Sequence, residues 1–111
     1  MDIETFREFC LSLKGTTEGM KWEHLCFMIE DKLFVIASLE DGHLSMKCDP
    51  DDFDELVARP GIQQARHMAK RQWVTLTGLD VMPDNELRDR VTISRALVLG
   101  KLSKKIQASY T

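Results

Sequence analysis

Between Leu44 and Leu76 the chain changes character repeatedly, and each change narrows the folds open to it. Leu44-Ser45-Met46-Lys47-Cys48 alternates as a half-buried strand does. At Asp49-Pro50-Asp51-Asp52 the pattern predicts a helix start: Asp49 can accept a bond from a free backbone N–H, and Pro50 costs nothing at the first helical position. Asp51 and Asp52 suit the positive end of the dipole. Phe53, Leu56 and Val57 form its apolar stripe, and Arg59-Pro60-Gly61 ends it, because proline disfavours helical geometry in the residue before it. Trp73-Val74-Thr75-Leu76-Thr77, rich in β-branched and aromatic residues, reads as a further strand.

The linking segment carries an unusual charge distribution. From Leu56 to Leu79 there is no Asp or Glu, while Arg59, Arg66, Lys70 and Arg71 are positive and His67 is titratable. The rest of the chain then holds 11 basic residues against 18 acidic ones, so a net charge of −3 conceals a local basic block.

Upstream, Asp2 is placed to cap a helix whose face is Ile3, Phe6, Phe9 or Cys10, and Leu13, with Lys14-Gly15 as its stop. Thr16-Thr17-Glu18-Gly19 reads as a polar turn, and Met20-Lys21-Trp22-Glu23 as the approach to a first strand in which Leu25, Phe27 and Ile29 alternate with His24, Cys26 and Met28. Glu30-Asp31 is a two-residue turn into Lys32–Leu39, and Asp41-Gly42 a type I′ turn into Leu44, giving an antiparallel meander. Ile62–Met68 is a candidate for another strand. Pro83 opens a last helix with Leu87, Val91, Ser94, Val98 and Leu102 on one face, and Ser103–Thr111 is the one candidate linker. Strands enclosed by terminal helices predict an α+β sandwich, an antiparallel sheet with the N- and C-terminal helices on one face.

At 111 residues and 43% hydrophobic, residues 1–111 suit one domain. No apolar run approaches a membrane span, and Met1-Asp2-Ile3-Glu4 has no signal-peptide character, so a cytoplasmic monomer with no membrane contact is expected. Cys10, Cys26 and Cys48 are unclustered and lie in apolar patterns, which predicts buried reduced thiols. Cys48 stands beside Lys47 near a helix start, yet its alternation with Leu44 and Met46 argues for inert packing.

Gly15-Thr16-Thr17-Glu18, Trp22, His24, Phe27, Lys32 and Phe34, followed in order by Leu44–Pro50, Arg59-Pro60-Gly61, His67-Met68, Lys70-Arg71 and Trp73-Val74-Thr75, resemble the bacterial MmcQ/YjbR-like family over nearly the whole chain. The resemblance implies a frataxin-like (CyaY-like) α/β sandwich and a proposed DNA-binding role through a double-wing arrangement of loops, without an established catalytic activity. Three positions depart from the family pattern. Ala69 stands where Asn is usual, Gln72 where His is frequent, and Arg95 where Tyr is frequent.

For nucleic acid, the candidate surface is Lys47, Arg59, Arg66, His67, Lys70 and Arg71, with Gln72 offering an amide and Trp73 a stacking face. The competing reading pairs Lys70 and Arg71 with Asp51, Asp52, Asp54 or Glu55 and buries Trp73. A second function class is a non-catalytic module that uses the same surface for a protein partner or a small anionic ligand. The pI near 5.6 weighs against strong non-specific attraction to DNA. No phosphate loop or nucleophile elbow is present, so no enzyme activity and no cofactor are expected. The frataxin-like fold raises iron binding at Asp49, Asp51, Asp52, Asp54 and Glu55. Helix capping already accounts for the first three, and His24, His43 and His67 lack partners at ligand spacing, so no metal is expected.

Overall fold

The computed structural model describes residues 1–110, and its sheet begins with two turns that contain no glycine. Strands β1 (Thr16–Lys21), β2 (His24–Ile29) and β3 (Lys32–Ser38) are joined by Trp22-Glu23, with φ of 51° and 65°, and by Glu30-Asp31, with φ of 50° and 61°. Positive φ at both central residues is the type I′ geometry, which matches the twist of the strands and costs about 1 kcal/mol or more per non-glycine residue. The long β1/β2 and β2/β3 ladders offset that cost.

Strand β4 (Leu44–Lys47) extends the meander, and β6 (Trp73–Leu76) and β5 (Ile62–Gln64) complete a six-stranded antiparallel sheet in the order β1-β2-β3-β4-β6-β5. Helix α1 (Ile3–Ser12) packs on β1, and α3 (Asp84–Leu99) lies over β3 and β4. Helix α2 (Pro50–Val57) rests against β5 and β6. The caps are those the sequence implies: Asp2 accepts from Thr5 N–H at 2.8 Å, and Asp49 from Asp51 N–H at 2.8 Å.

Register separates the two faces of the sheet. Ala37, Leu44, Leu76 and Ile62 lie side by side across four strands, as do Phe27, Val35, Met46 and Val74, and all face the helices in the core with Phe6, Leu87 and Val91. The alternate positions Ile36, Ser45, Thr75 and Gln63 form a row on the opposite face, which no helix covers among the described residues. All three cysteines are buried and unpaired. Burial pushes the Cys10 thiol up to about 12, and it raises Cys26 and Cys48 as well.

The structure corrects three local expectations. Thr16-Thr17-Glu18-Gly19 is the start of β1, because two β-branched threonines pair well on an edge and the reversal falls instead at Trp22-Glu23. Asp41-Gly42 is not a type I′ turn: only Gly42 is left-handed, at φ 77°. The Asp41 carboxylate accepts from His43 N–H at 2.9 Å, which widens the loop. The final segment is no linker, since Ser103 caps helix α4 (Lys104–Ala108) and Tyr110 donates to Glu30 at 2.6 Å. Thr111 lies outside the described residues.

Candidate nucleic-acid interface

The basic residues of the 56–79 segment do not form one surface. Arg59 makes a two-pronged pair with Glu86 at 2.7 and 2.8 Å, tying the end of α2 to the first turn of α3. Arg71 does the same with Asp54 at 2.9 and 3.1 Å and lies over the Phe53 ring. Both guanidiniums are committed to carboxylates, as the competing reading of the sequence had Arg71. Trp73 is 7% exposed, so its ring is packed and leaves at the surface only a small part, too little to stack on an unpaired base. Arg66 points to the open face of the sheet, where it lines a hollow with His24 and His43.

The carboxyls of Glu86 and Asp54 are held below their ordinary values of 4.5 and 3.8, chiefly by hydrogen bonds from Arg59 and Arg71, and Arg7 lowers Glu18 in the same way. A folded value below the unfolded one means stability that is fully present above about pH 4.5 and is lost as pH falls through the lowered values. The urea midpoint is therefore expected to be flat from pH 7 to about 5 and to fall below about pH 4. Glu86→Gln should start lower and fall less steeply, and equal slopes in the two proteins would reject the link.

The segment between β5 and β6 is an ordered wing. Gln64 organises it: its side-chain amide donates to Ala65 C=O at 2.8 Å, and its carbonyl oxygen accepts from Arg71 N–H at 2.9 Å. His67 and Arg71 sit in left-handed backbone at 62° and 64°, and Cys48 N–H donates to Gln72 C=O at 2.8 Å, fixing the wing to the end of β4. His67 and Lys70 stay exposed on it, and neither makes an ion pair with any described residue.

Beside this wing lies a groove that the charge count of one sequence window does not show. Lys32 from the start of β3, Lys47 from the end of β4 and Lys101 from just past α3 line it together with Leu33, Trp73 and Leu102. No carboxylate lines it among the described residues. Lys101 reaches Gln72 Oε1 at 3.5 Å, and burial together with the neighbouring Lys101 ammonium holds Lys47 below the usual lysine range. Lys32 lies far in sequence from the basic window and nothing in the local order marks it for this groove, whereas for Lys101 the amino-acid order leaves open whether the tail joins the basic patch. The signal for Lys101 is the basic run Lys101-Leu102-Ser103-Lys104-Lys105.

A sheet with helices on one face, a bare second face and a loop-framed basic end defines a small α+β domain that presents surfaces on its open side. The chain belongs to the YjbR family, whose model matches residues 11–97. Its fold is that of DR2400 from Deinococcus radiodurans, a crystal structure with a DUF419 domain. The two are 26% identical, with a TM-score of 0.88 over 97% of this chain and 86% of that one. A protein from Pseudomonas syringae, solved as structural-genomics target PsR293, shares the fold at 22% identity, with a TM-score of 0.72 over 87% of this chain and 98% of that one. No curated protein matches. Among the described residues no helix is long and apolar enough to cross a membrane, and no group of three or more His, Cys, Asp or Glu is placed to hold a metal ion.

Proposed function

We propose that this domain binds nucleic acid, without catalysis, through the basic end of its sheet: the groove of Lys32, Lys47 and Lys101 and the adjoining wing with His67 and Lys70. The observation that carries this reading is the convergence of three lysines from three separate elements on one groove with no carboxylate among its described lining residues. Clustered like charges repel, and a polyanion arriving there relieves the repulsion. With Trp73 packed away and Arg59 and Arg71 already paired, the contacts are to phosphates and carry little sequence information. Non-specific affinity in the range of about 10⁻⁴ to 10⁻⁶ M at physiological salt is the expectation.

A second reading, a small anion with an apolar portion, is favoured by Leu33, Trp73, Val98 and Leu102 along the same groove. Fluorescence anisotropy of a labelled duplex across a salt series separates the two. About three phosphate contacts give a slope of log K against log salt near −3, and Lys47→Glu/Lys101→Glu should reduce its magnitude by about 2 and the affinity at least tenfold. Arg59→Gln should leave the slope unchanged. Absence of binding at low salt, or binding that survives the double substitution, rejects the nucleic-acid reading.

A further inference from the structure

The open face of the sheet carries a second concavity, distinct from the lysine groove and built from different chemistry. Where register places Ala37, Leu44, Leu76 and Ile62 toward the core, the intervening row on β4, β6 and β5 is Ser45, Thr75 and Gln63. Short hydroxyls form the floor, with Ser45 Oγ and Thr75 Oγ1 2.8 Å apart across the strands and Thr75 only 9% exposed. Longer side chains, His24, His43 and Arg66, stand around them and enclose about 340 Å³, at the low end of small-molecule sites.

The hydrogen-bonding capacity of this hollow is only partly used. His24 lines the hollow, and its Nδ1 atom, shut off from solvent, has no hydrogen-bond partner among the described residues. Arg66 forms no ion pair with any described residue, in contrast to Arg7, Arg59, Arg71 and Arg90. The one carboxylate at the rim, Asp41, already accepts from His43 N–H and stands 3.6 Å from His43 Nδ1. An unpaired guanidinium offers a planar fork for carboxylate or phosphate.

We propose that this open-face hollow is a binding site for a small hydroxylated anion, a sugar phosphate or a sugar acid, with Arg66 taking the anionic group and Ser45, Thr75, Gln63 and His24 meeting the hydroxyls. The anionic group satisfies Arg66, among the described lining residues the only cation that is charged at every accessible pH. Hydroxyls suit the floor, because Ser, Thr and Gln each both donate and accept. A purely apolar ligand would leave these groups unpaired, and a polyanion would meet only one permanent positive charge.

The test is a titration of isotopically labelled protein with glucose 6-phosphate, gluconate and inorganic phosphate in turn, following backbone amide shifts. Saturable shifts at His24, His43, Ser45, Gln63, Arg66 and Thr75 are expected with glucose 6-phosphate or gluconate, and whichever binds tighter identifies the anionic group. Inorganic phosphate, which lacks the hydroxylated carbon chain, should bind at least tenfold more weakly. Arg66→Gln, at an exposed position, should fold normally and weaken binding about tenfold or more, while Lys47→Glu/Lys101→Glu should leave it unchanged. Failure of both hydroxylated probes to shift the open-face amides at about 10 mM would overturn the proposal. Shifts confined to Lys32, Lys47 and Lys101, or binding that Arg66→Gln does not weaken, would overturn it equally.

Discussion

Replacing Ser94 by alanine is expected to remove about 2–5 kcal/mol of stability, a large share of what a domain of this size has. The serine is fully buried in α3, on the face that also carries Leu87, Val91 and Val98. Its hydroxyl donates to Phe34 C=O at 2.6 Å and accepts from Lys47 N–H at 2.8 Å. Both backbone groups need it for a reason that lies in the sheet. Pairing of β2 with β3 shifts register at Phe27/Met28, so Phe34 is the extra residue of a bulge, and the β3/β4 ladder stops at Val35 and Met46. The Ser94 hydroxyl carries that ladder one step further as a side-chain bridge. Alanine would leave a buried donor and a buried acceptor unpaired, each costing about 1–3 kcal/mol. Urea unfolding should show a lower midpoint at unchanged slope, and the melting temperature should drop by roughly 10 °C or more. A loss below about 1 kcal/mol would mean that the strands close directly and that the bridge is dispensable.

That residue also marks the limit of what the amino-acid order reveals. Its place on the buried face of α3 follows from spacing alone, as do the Asp2 and Asp49 caps, the stop at Arg59-Pro60-Gly61 and the meander around Glu30-Asp31. These are local signals, each set by a few neighbouring residues. The role of Ser94 depends on a bulge at Phe34, some sixty positions away, and no pattern within the helix encodes it. The candidate interface divides in the same manner. A window count finds Arg59, Arg66, Lys70 and Arg71 together, yet Glu86 and Asp54 from other elements take two of them, and Arg66 turns to the open face. Lys32, Lys47 and Lys101 share a groove only because β3, β4 and the end of α3 meet at one end of the sheet. The open-face row is half legible: alternation places Ser45 and Thr75 opposite the core, but not their alignment beside Gln63, which needs the β4-β6-β5 order.

Phe27→Ala is expected to cost about 3–5 kcal/mol, and its contrast with Ile36→Thr separates the working faces of the sheet. Phe27 lies near the middle of β2, paired with Glu18 and Val35, and is fully buried beneath α1 with its ring edge-on to Phe6 at 6.2 Å and 76°. Deleting the ring removes a large apolar area and leaves a cavity that α1 and α3 cannot both close around. Ile36 pairs with Cys26 and Ser45 on the other face, where it is half-buried and lines the hydroxyl-floored hollow. Threonine keeps its β-branching and adds a hydroxyl where hydroxyls already stand, so a cost below about 1 kcal/mol is expected. Urea midpoints of the two variants would measure the difference directly. Equal losses would mean that the open face is structurally buried in solution, by a second copy or another partner, and therefore closed to a small anion. The expected asymmetry would establish that the fold draws its stability from the helix-covered face. Residues of the opposite face, Arg66 and Ser45 among them, would then be free to be shaped by what they bind.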